Sequence, residues 1–127
     1  MSHVQGMTVE IDGSHFDAIT FDCYGTLIDW EAGLSQYLQP LLGAHDCHVV
    51  ESFLFDFYGR TEAALQAGPY RPYRQILKAV LAALGERLGF RPSEKALADF
   101  PQSIAEWLPF ADTVPALKAL ADRYQLG

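Results

Sequence analysis

Asp22-Cys23-Tyr24-Gly25-Thr26 is the stretch of this sequence equipped for covalent chemistry. An apolar run from Ala18 to Phe21 leads into a single carboxylate, and a short apolar run closed by a turn signal reads as a buried strand. Asp22 then stands where the strand ends, and ligands of open α/β sheets bind outside the carboxyl ends of strands. A carboxylate held at an open turn is a candidate nucleophile. Gly25 lets the backbone turn sharply without a Cβ penalty. Thr26 offers a hydroxyl that can bond back to the loop or to Asp22, and the loop amides can form an anion-receiving nest. A bare Asp-x-x-Gly-Thr would be no more than a polar turn. The apolar lead and the Leu27-x-Asp29 tail make the whole string far more specific.

The neighbouring residues admit two readings each. Cys23 adjoins the candidate nucleophile, so a reactive thiol is conceivable, but a small buried filler is the favoured reading. His45 and His48 flank Asp46 and faintly suggest a metal site; with no further ligand nearby, a solvated inter-helix loop is the better answer. Phe53, Phe57, Tyr70, Tyr73 and Trp107 could line a pocket, although aromatics at helical spacing are more often core. His3 reads as solvated.

The elements that must position Asp22 follow from periodicity and punctuation. Residues 1–14, with a Met7-Thr8-Val9-Glu10-Ile11 alternation, read as a flexible leader rather than an edge strand. Asp29 is placed to cap a helix from about Trp30 to Gly43, bent or broken late by Pro40. A second helix runs from about Val49 to Ala67. Gly68-Pro69-Tyr70-Arg71-Pro72 forbids continuation. Tyr73 to Leu88 is the cleanest helix, with Ile76, Leu77, Val80, Leu81, Leu84 and Leu88 on one stripe and Gly89 as its stop. Ser93 caps a short helix to about Phe100, and Pro101 is expected to start another that includes Ile104 and Trp107. Asp112 or Thr113 caps a last helix with Pro115 in its first turn. Tyr124 to Gly127 approaches another strand. Between the first strand and the last helix lies a helical insertion of about 80 residues, far longer than a normal crossover connection. The expected architecture is α/β: residues 15–29 and 110–127 begin a Rossmann-like core, and 30–109 form a helical lid.

Size and charge bound the function. The 127 residues suffice for one domain with a real core, and half of them are hydrophobic. A net charge of −7 with scattered Lys and Arg argues against nucleic-acid or anionic-membrane partners. No apolar stretch reaches the ~18 residues of a membrane span. The N-terminus lacks a signal-peptide layout, and two cysteines are too few for a disulfide framework. A cytoplasmic location is expected.

Phe21-Asp22-Cys23-Tyr24-Gly25-Thr26-Leu27-Ile28-Asp29 closely resembles the first motif of the haloacid dehalogenase (HAD) superfamily of hydrolases. The family motif is Asp-x-Asp-Gly-Thr, and Tyr24 in place of its second Asp resembles the L-2-haloacid dehalogenase branch. Residues 29–107 resemble that branch's cap, and Trp107-x-Pro109-Phe110-x-Asp112 resembles its return to the core. The resemblance implies that Asp22 attacks a 2-haloacid to give an aspartyl ester that water hydrolyses, with Thr26 beside it and Tyr24 and Cys23 facing the substrate. The Tyr24 exchange has a chemical logic. An alkoxide leaving group needs a proton donor, whereas halide does not. Losing a carboxylate also weakens a magnesium site. A ring that only packs in the core is the equal alternative for Tyr24. The branch's cap arginine has no counterpart in residues 51–56; Arg60 is the candidate for its role, against a solvated surface arginine.

The family's Ser/Thr, Lys and acidic motifs follow the next strand, where this sequence stops. The chain is therefore expected to be a truncated or split product of a longer hydrolase, working as a homodimer or with a complementing fragment. Dehalogenation of a small organic acid needs no cofactor. The alternative within the superfamily is a Mg²⁺-dependent phosphatase, and the alternative of another class is an inactive fragment or interaction module.

Overall fold

The computed structural model describes residues 10–127. His3 and the beginning of the Met7–Ile11 alternation lie outside the described residues. Within residues 10–14, Asp12 caps a single 3-10 turn at Gly13–His15, and the Tyr124 hydroxyl donates to the Gly13 carbonyl at 3.0 Å. That end of the expected leader is therefore tied to the far end of the chain.

Five helices follow the sequence punctuation. Helix α1 (Trp30–Ala44) starts at Asp29, whose carboxylate accepts from the Ala32 amide at 3.1 Å. It buries Leu34, Leu38 and Leu42, one helical face. Pro40 does not break it, because fully packed leucines on both sides hold the helix through the missing hydrogen bond. Helix α2 (Glu51–Gln66) turns Leu54 and Tyr58 inward. Helix α3 (Tyr73–Leu88) buries Ile76, Leu77, Val80, Leu81 and Leu84 and ends at Gly89, where φ is +84°. The left-handed cap suits glycine, which has no Cβ to clash there. Helix α4 (Glu94–Ser103) begins at Ser93, whose hydroxyl accepts from the Ala96 amide at 3.1 Å.

One boundary differs from expectation. Pro101 was expected to open a separate helix, but α4 runs through it to Ser103 and then tightens into a 3-10 turn at Ile104–Glu106. Phe100 is fully buried and Pro101 is buried beside it, so packing offsets the backbone bond that proline cannot make.

The α/β part is small. Strand β1 (Ala18–Ile19) pairs in parallel with β2 (Gln125–Leu126), which follows helix α5 (Thr113–Ala121). Ladder hydrogen bonds extend past the strand limits, from Gln125 N–H to Asp17 C=O (2.9 Å) and from Phe21 N–H to Gly127 C=O (3.0 Å). Two short stretches join this part to the helices and hold each other. Asp29 N–H donates to Leu108 C=O at 2.9 Å, and Phe110 N–H donates to Leu27 C=O at 3.2 Å. The Thr113 hydroxyl, expected as a helix cap, instead donates to Leu27 C=O at 2.8 Å. The architecture is thus a helical bundle inserted after the first strand of an α/β core. The described hydrophobic core, from Leu34 to Trp107, belongs wholly to the bundle.

Candidate functional site

The ladder at Phe21 delivers the chain to Asp22 at the carboxyl end of β1. Beyond it the loop winds tightly on a single acceptor. The Cys23 carbonyl receives the amides of Thr26 (3.2 Å), Leu27 (2.7 Å) and Ile28 (3.1 Å), while Gly25 N–H bonds to Ile28 C=O at 2.9 Å. Gly25 sits at φ +84°, the left-handed conformation that this winding requires. The turn uses the amides of Gly25 and Thr26, two of the five expected for an anion nest. Those of Asp22, Cys23 and Tyr24 make no hydrogen bond among the described residues.

The winding brings Thr26 back over Asp22. Its hydroxyl donates to Asp22 Oδ2 at 3.0 Å, leaving the carboxylate in solvent with one oxygen oriented. No ion pair to Asp22 occurs among the described residues. Cys23 is exposed, not the buried filler that the sequence favours. The strand before it is covered by no apolar layer among the described residues, so its thiol has nothing to fill.

Tyr24 is 46% exposed and leans from the loop onto the bundle. Its ring meets Trp107 edge to face, with centroids 5.6 Å apart and planes at 78°. Trp30, one residue past the α1 cap, stacks with Tyr58 at 5.7 Å and 28°. These four rings, with Gly59 and Glu62, line a cleft of about 210 Å³ at the junction of loop and bundle. Trp107 fits only because Gly33 has no side chain: a Cβ there would stand 2.2 Å from the indole Cδ1.

Behind the cleft runs a hydrogen-bonded chain. Tyr73 donates to Glu62, so its single proton is committed, and Tyr58, 2.8 Å away, must be the donor to Tyr73. Burial, reinforced by Glu62, raises both phenols above their ordinary value near 10. Both hydroxyls stay protonated and Glu62 keeps the acceptor role.

The site residues read from sequence thus divide. Asp22 and Thr26 meet, and Tyr24 reaches the cleft. Arg60 does not line it: 81% exposed, it pairs with Asp56 one turn back on α2 at 2.9 Å. Sequence reasoning missed Trp30, Tyr58 and Glu62 as site residues. In the sequence Trp30 reads as a helix start, Tyr58 as part of an apolar face, and Glu62 lies between apolar positions. The one available signal was the Tyr58/Glu62 spacing, which puts both on one side of α2. Tyr70 is exposed, and Phe53 and Phe57 stack on each other at 5.9 Å. His45 stacks on Phe90 at 4.4 Å, and no cluster of three metal-ligating side chains occurs among the described residues.

No protein-family model matches the sequence, and no curated protein matches it. Solved structures do. A defluorinating L-2-haloacid dehalogenase superposes with a TM-score of 0.72 at 21% identity, over 88% of this chain and 49% of its own. A second L-2-haloacid dehalogenase gives 0.70 at 25% identity, over 87% and 50%. The L-2-haloacid dehalogenase of Xanthobacter autotrophicus with chloropropionic acid covalently bound gives 0.68 at 22%, over 87% and 44%. The fold of this chain is therefore that of L-2-haloacid dehalogenases, as the Asp22–Asp29 motif led one to expect. The chain spans about half the length of these structures.

Proposed function

We propose that this chain carries the nucleophile of a HAD-like hydrolase of the haloacid dehalogenase type, with Asp22 as that nucleophile. The observation that supports the reading most directly is the Asp22–Thr26 pair, an exposed carboxylate oriented at 3.0 Å at the end of β1. An Asp22 oxygen attacks C2 of a 2-haloacid, the carbon–halogen bond breaks and halide leaves with the bonding electrons. Water then attacks the ester carbonyl, releasing a 2-hydroxy acid and restoring the Asp22 carboxylate. The bound chloropropionic acid of the Xanthobacter neighbour supports a covalent intermediate of this kind. Halide needs no general acid, which is consistent with Tyr24 where a phosphatase has a carboxylate.

In this reading residues 15–29 and 110–127 are core, residues 30–109 are the cap, and the site lies between them. Arg60 pairs with Asp56 and takes no part as it stands, so the cation that would balance Asp22 and the substrate carboxylate comes from outside the described residues, and a second copy or a complementing fragment is one source. β1 has an unpaired edge among the described residues, which such a partner can join. The substrate is a small organic acid in the cytoplasm, and the reaction requires no cofactor.

The test is halide release from 2-chloropropionate by the full chain and by its Asp22→Asn variant. Release that disappears in the variant supports the reading. Mg²⁺-dependent phosphate release from p-nitrophenyl phosphate, without halide release, would replace it with a phosphatase. Release of neither would leave an interaction module.

A further inference from the structure

Hydrolysis of an aspartyl ester needs a base that the Asp22 loop does not supply. Water becomes a good nucleophile as it gives up a proton, and a positioned carboxylate is a suitable acceptor for it. Asp22 is itself esterified at that stage. The Thr26 hydroxyl is spent as the donor to Asp22 Oδ2, and Tyr24 brings a phenol rather than a carboxylate. Asp29 caps α1, accepting from the Ala32 amide at 3.1 Å.

The helical bundle returns a carboxylate to the same place. Among the residues lining the cleft of about 210 Å³, Glu62 is the one carboxylate. Tyr24, two residues beyond Asp22, forms a wall of that cleft, so it adjoins the loop carrying the candidate nucleophile. The spacing of Tyr58 and Glu62 sets both on one side of α2. Tyr73 of α3 donates to Glu62 Oε2, and Tyr58 donates to Tyr73 at 2.8 Å. A carboxylate has about four lone-pair positions, and Tyr73 occupies one of them. Oε1 makes no hydrogen bond among the described residues, so it is free to accept from water. Gly59, also lining the cleft and almost one turn earlier on α2, has open space where a Cβ would stand. Glu62 is thus an oriented acceptor with room in front of it.

We propose that Glu62 is the general base of the hydrolytic half-reaction, receiving the proton of the water that attacks the Asp22 ester. The inference rests on the reading of Asp22 as nucleophile and adds a second catalytic residue to it. Water attacks the ester carbonyl carbon, Cγ of Asp22, and passes a proton to Glu62 Oε1. The tetrahedral intermediate then collapses, breaking the bond from Cγ to the oxygen shared with C2. The departing alkoxide takes the proton back from Glu62, giving the 2-hydroxy acid. Asp22 is left as a carboxylic acid and loses its proton to solvent, which restores both carboxylates. No proton moves while halide leaves, so Glu62 has no role in ester formation. Its charge repels the substrate carboxylate at that stage, and the cation from outside the described residues must offset it. Tyr73 and Tyr58 touch no reacting atom and are positioning residues.

The experiment mixes the full chain with excess 2-chloropropionate, follows halide release, and measures the intact mass of acid-quenched samples for the carboxyethyl ester. The parent is expected to release halide steadily with little ester present. Glu62→Gln keeps an amide oxygen for the Tyr73 hydroxyl but cannot take a proton. It is expected to release one halide per chain in a burst and then slow by about a hundredfold, with the ester accumulating on most chains. Its KM should fall, because a negative charge facing the substrate is gone and breakdown of the ester limits turnover. Glu62→Asp holds the carboxylate one methylene further back, and should slow hydrolysis by about tenfold and raise the ester fraction. It carries the test if Glu62→Gln does not fold. The proposal is overturned if a folded Glu62 variant turns over at the parent rate, or if it slows without accumulating ester, which would place the loss in ester formation. A parent that yields neither halide nor ester overturns the role of Asp22 and that of Glu62 with it. A parent that turns over beside an unaffected Glu62→Gln removes Glu62 alone.

Discussion

A single hydroxyl orients the candidate nucleophile, and its removal is the most direct probe of the loop. Thr26→Val keeps the shape of the side chain but deletes the donor to Asp22 Oδ2. Both groups are exposed, so the bond is expected to be worth about 1 kcal/mol in holding Asp22 for attack, below the usual range for hydrogen bonds to a charged acceptor, and little in folding. Halide release by Thr26→Val should fall roughly fivefold in kcat with little change in KM, and Thr26→Ser should restore it. Urea midpoints of both variants should stay close to the parent, because a surface group away from the core is being changed. At this scale the sequence was informative where chemistry and backbone geometry coincide. Gly25 could be read as the turn because left-handed φ favours glycine, and the structure places it at +84°. Asp22 and Thr26 could be paired because the turn between them is short. Cys23 could not be read, because its burial depends on a layer that the local sequence does not encode. The direction of Arg60 was also hidden, since Asp56 one turn back and the cleft are equally near in sequence.

Helices were legible where apolar period and punctuation agree. Tyr73–Leu88 was readable to the residue because its stripe is unbroken, Pro72 precedes it and Gly89 follows. The run of α4 through Pro101 was not, because the compensation is the burial of Phe100 against other helices, a tertiary effect. The close approach of α1 to Trp107 was equally invisible, although it makes Gly33 irreplaceable. Gly33→Ala drives a methyl into the indole, and the overpacking is expected to cost about 1–3 kcal/mol and shift tryptophan emission to the red. An unchanged emission maximum and urea midpoint would show that Trp107 does not rest on Gly33. The α2–α3 contact makes a pH prediction. Tyr58 and Tyr73 hold their protons more tightly folded than unfolded, chiefly through burial. The unfolded chain therefore loses protons first as pH rises through about 10, and stability falls with pH above that point while it is fully present below. Urea midpoints measured at pH 7, 9 and 10.5 should be level between the first two and drop at the third. Tyr73→Phe should begin lower, having lost its bond to Glu62, and decline less steeply.

Taken whole, the molecule has two unequal halves, and the candidate nucleophile Asp22 stands on the weaker one. All thirteen buried hydrophobic side chains of the core among the described residues lie between Leu34 and Trp107. The α/β part contributes a two-residue strand pair and a helix of which only Thr113 is buried. Stability follows buried apolar area, so the bundle sets the global unfolding free energy and the strands open on their own well below it. Native-state hydrogen exchange should find the amides of Ile76–Leu84 protected to the level of global unfolding. Those of Phe21 and Gly127, which close the ladder, should exchange orders of magnitude faster. Leu81→Ala separates the two levels. Leu81 is fully buried, and its truncation should cost about 2–5 kcal/mol, lowering protection in α3 by that amount. Exchange at Phe21 and Gly127 should not change, because their opening does not pass through the bundle. A partner that joins the free edge of β1 would raise protection at Phe21 and leave α3 untouched. If Leu81→Ala instead accelerates exchange at both ends alike, the strands and the bundle unfold as one unit, and Asp22 is held as firmly as the core.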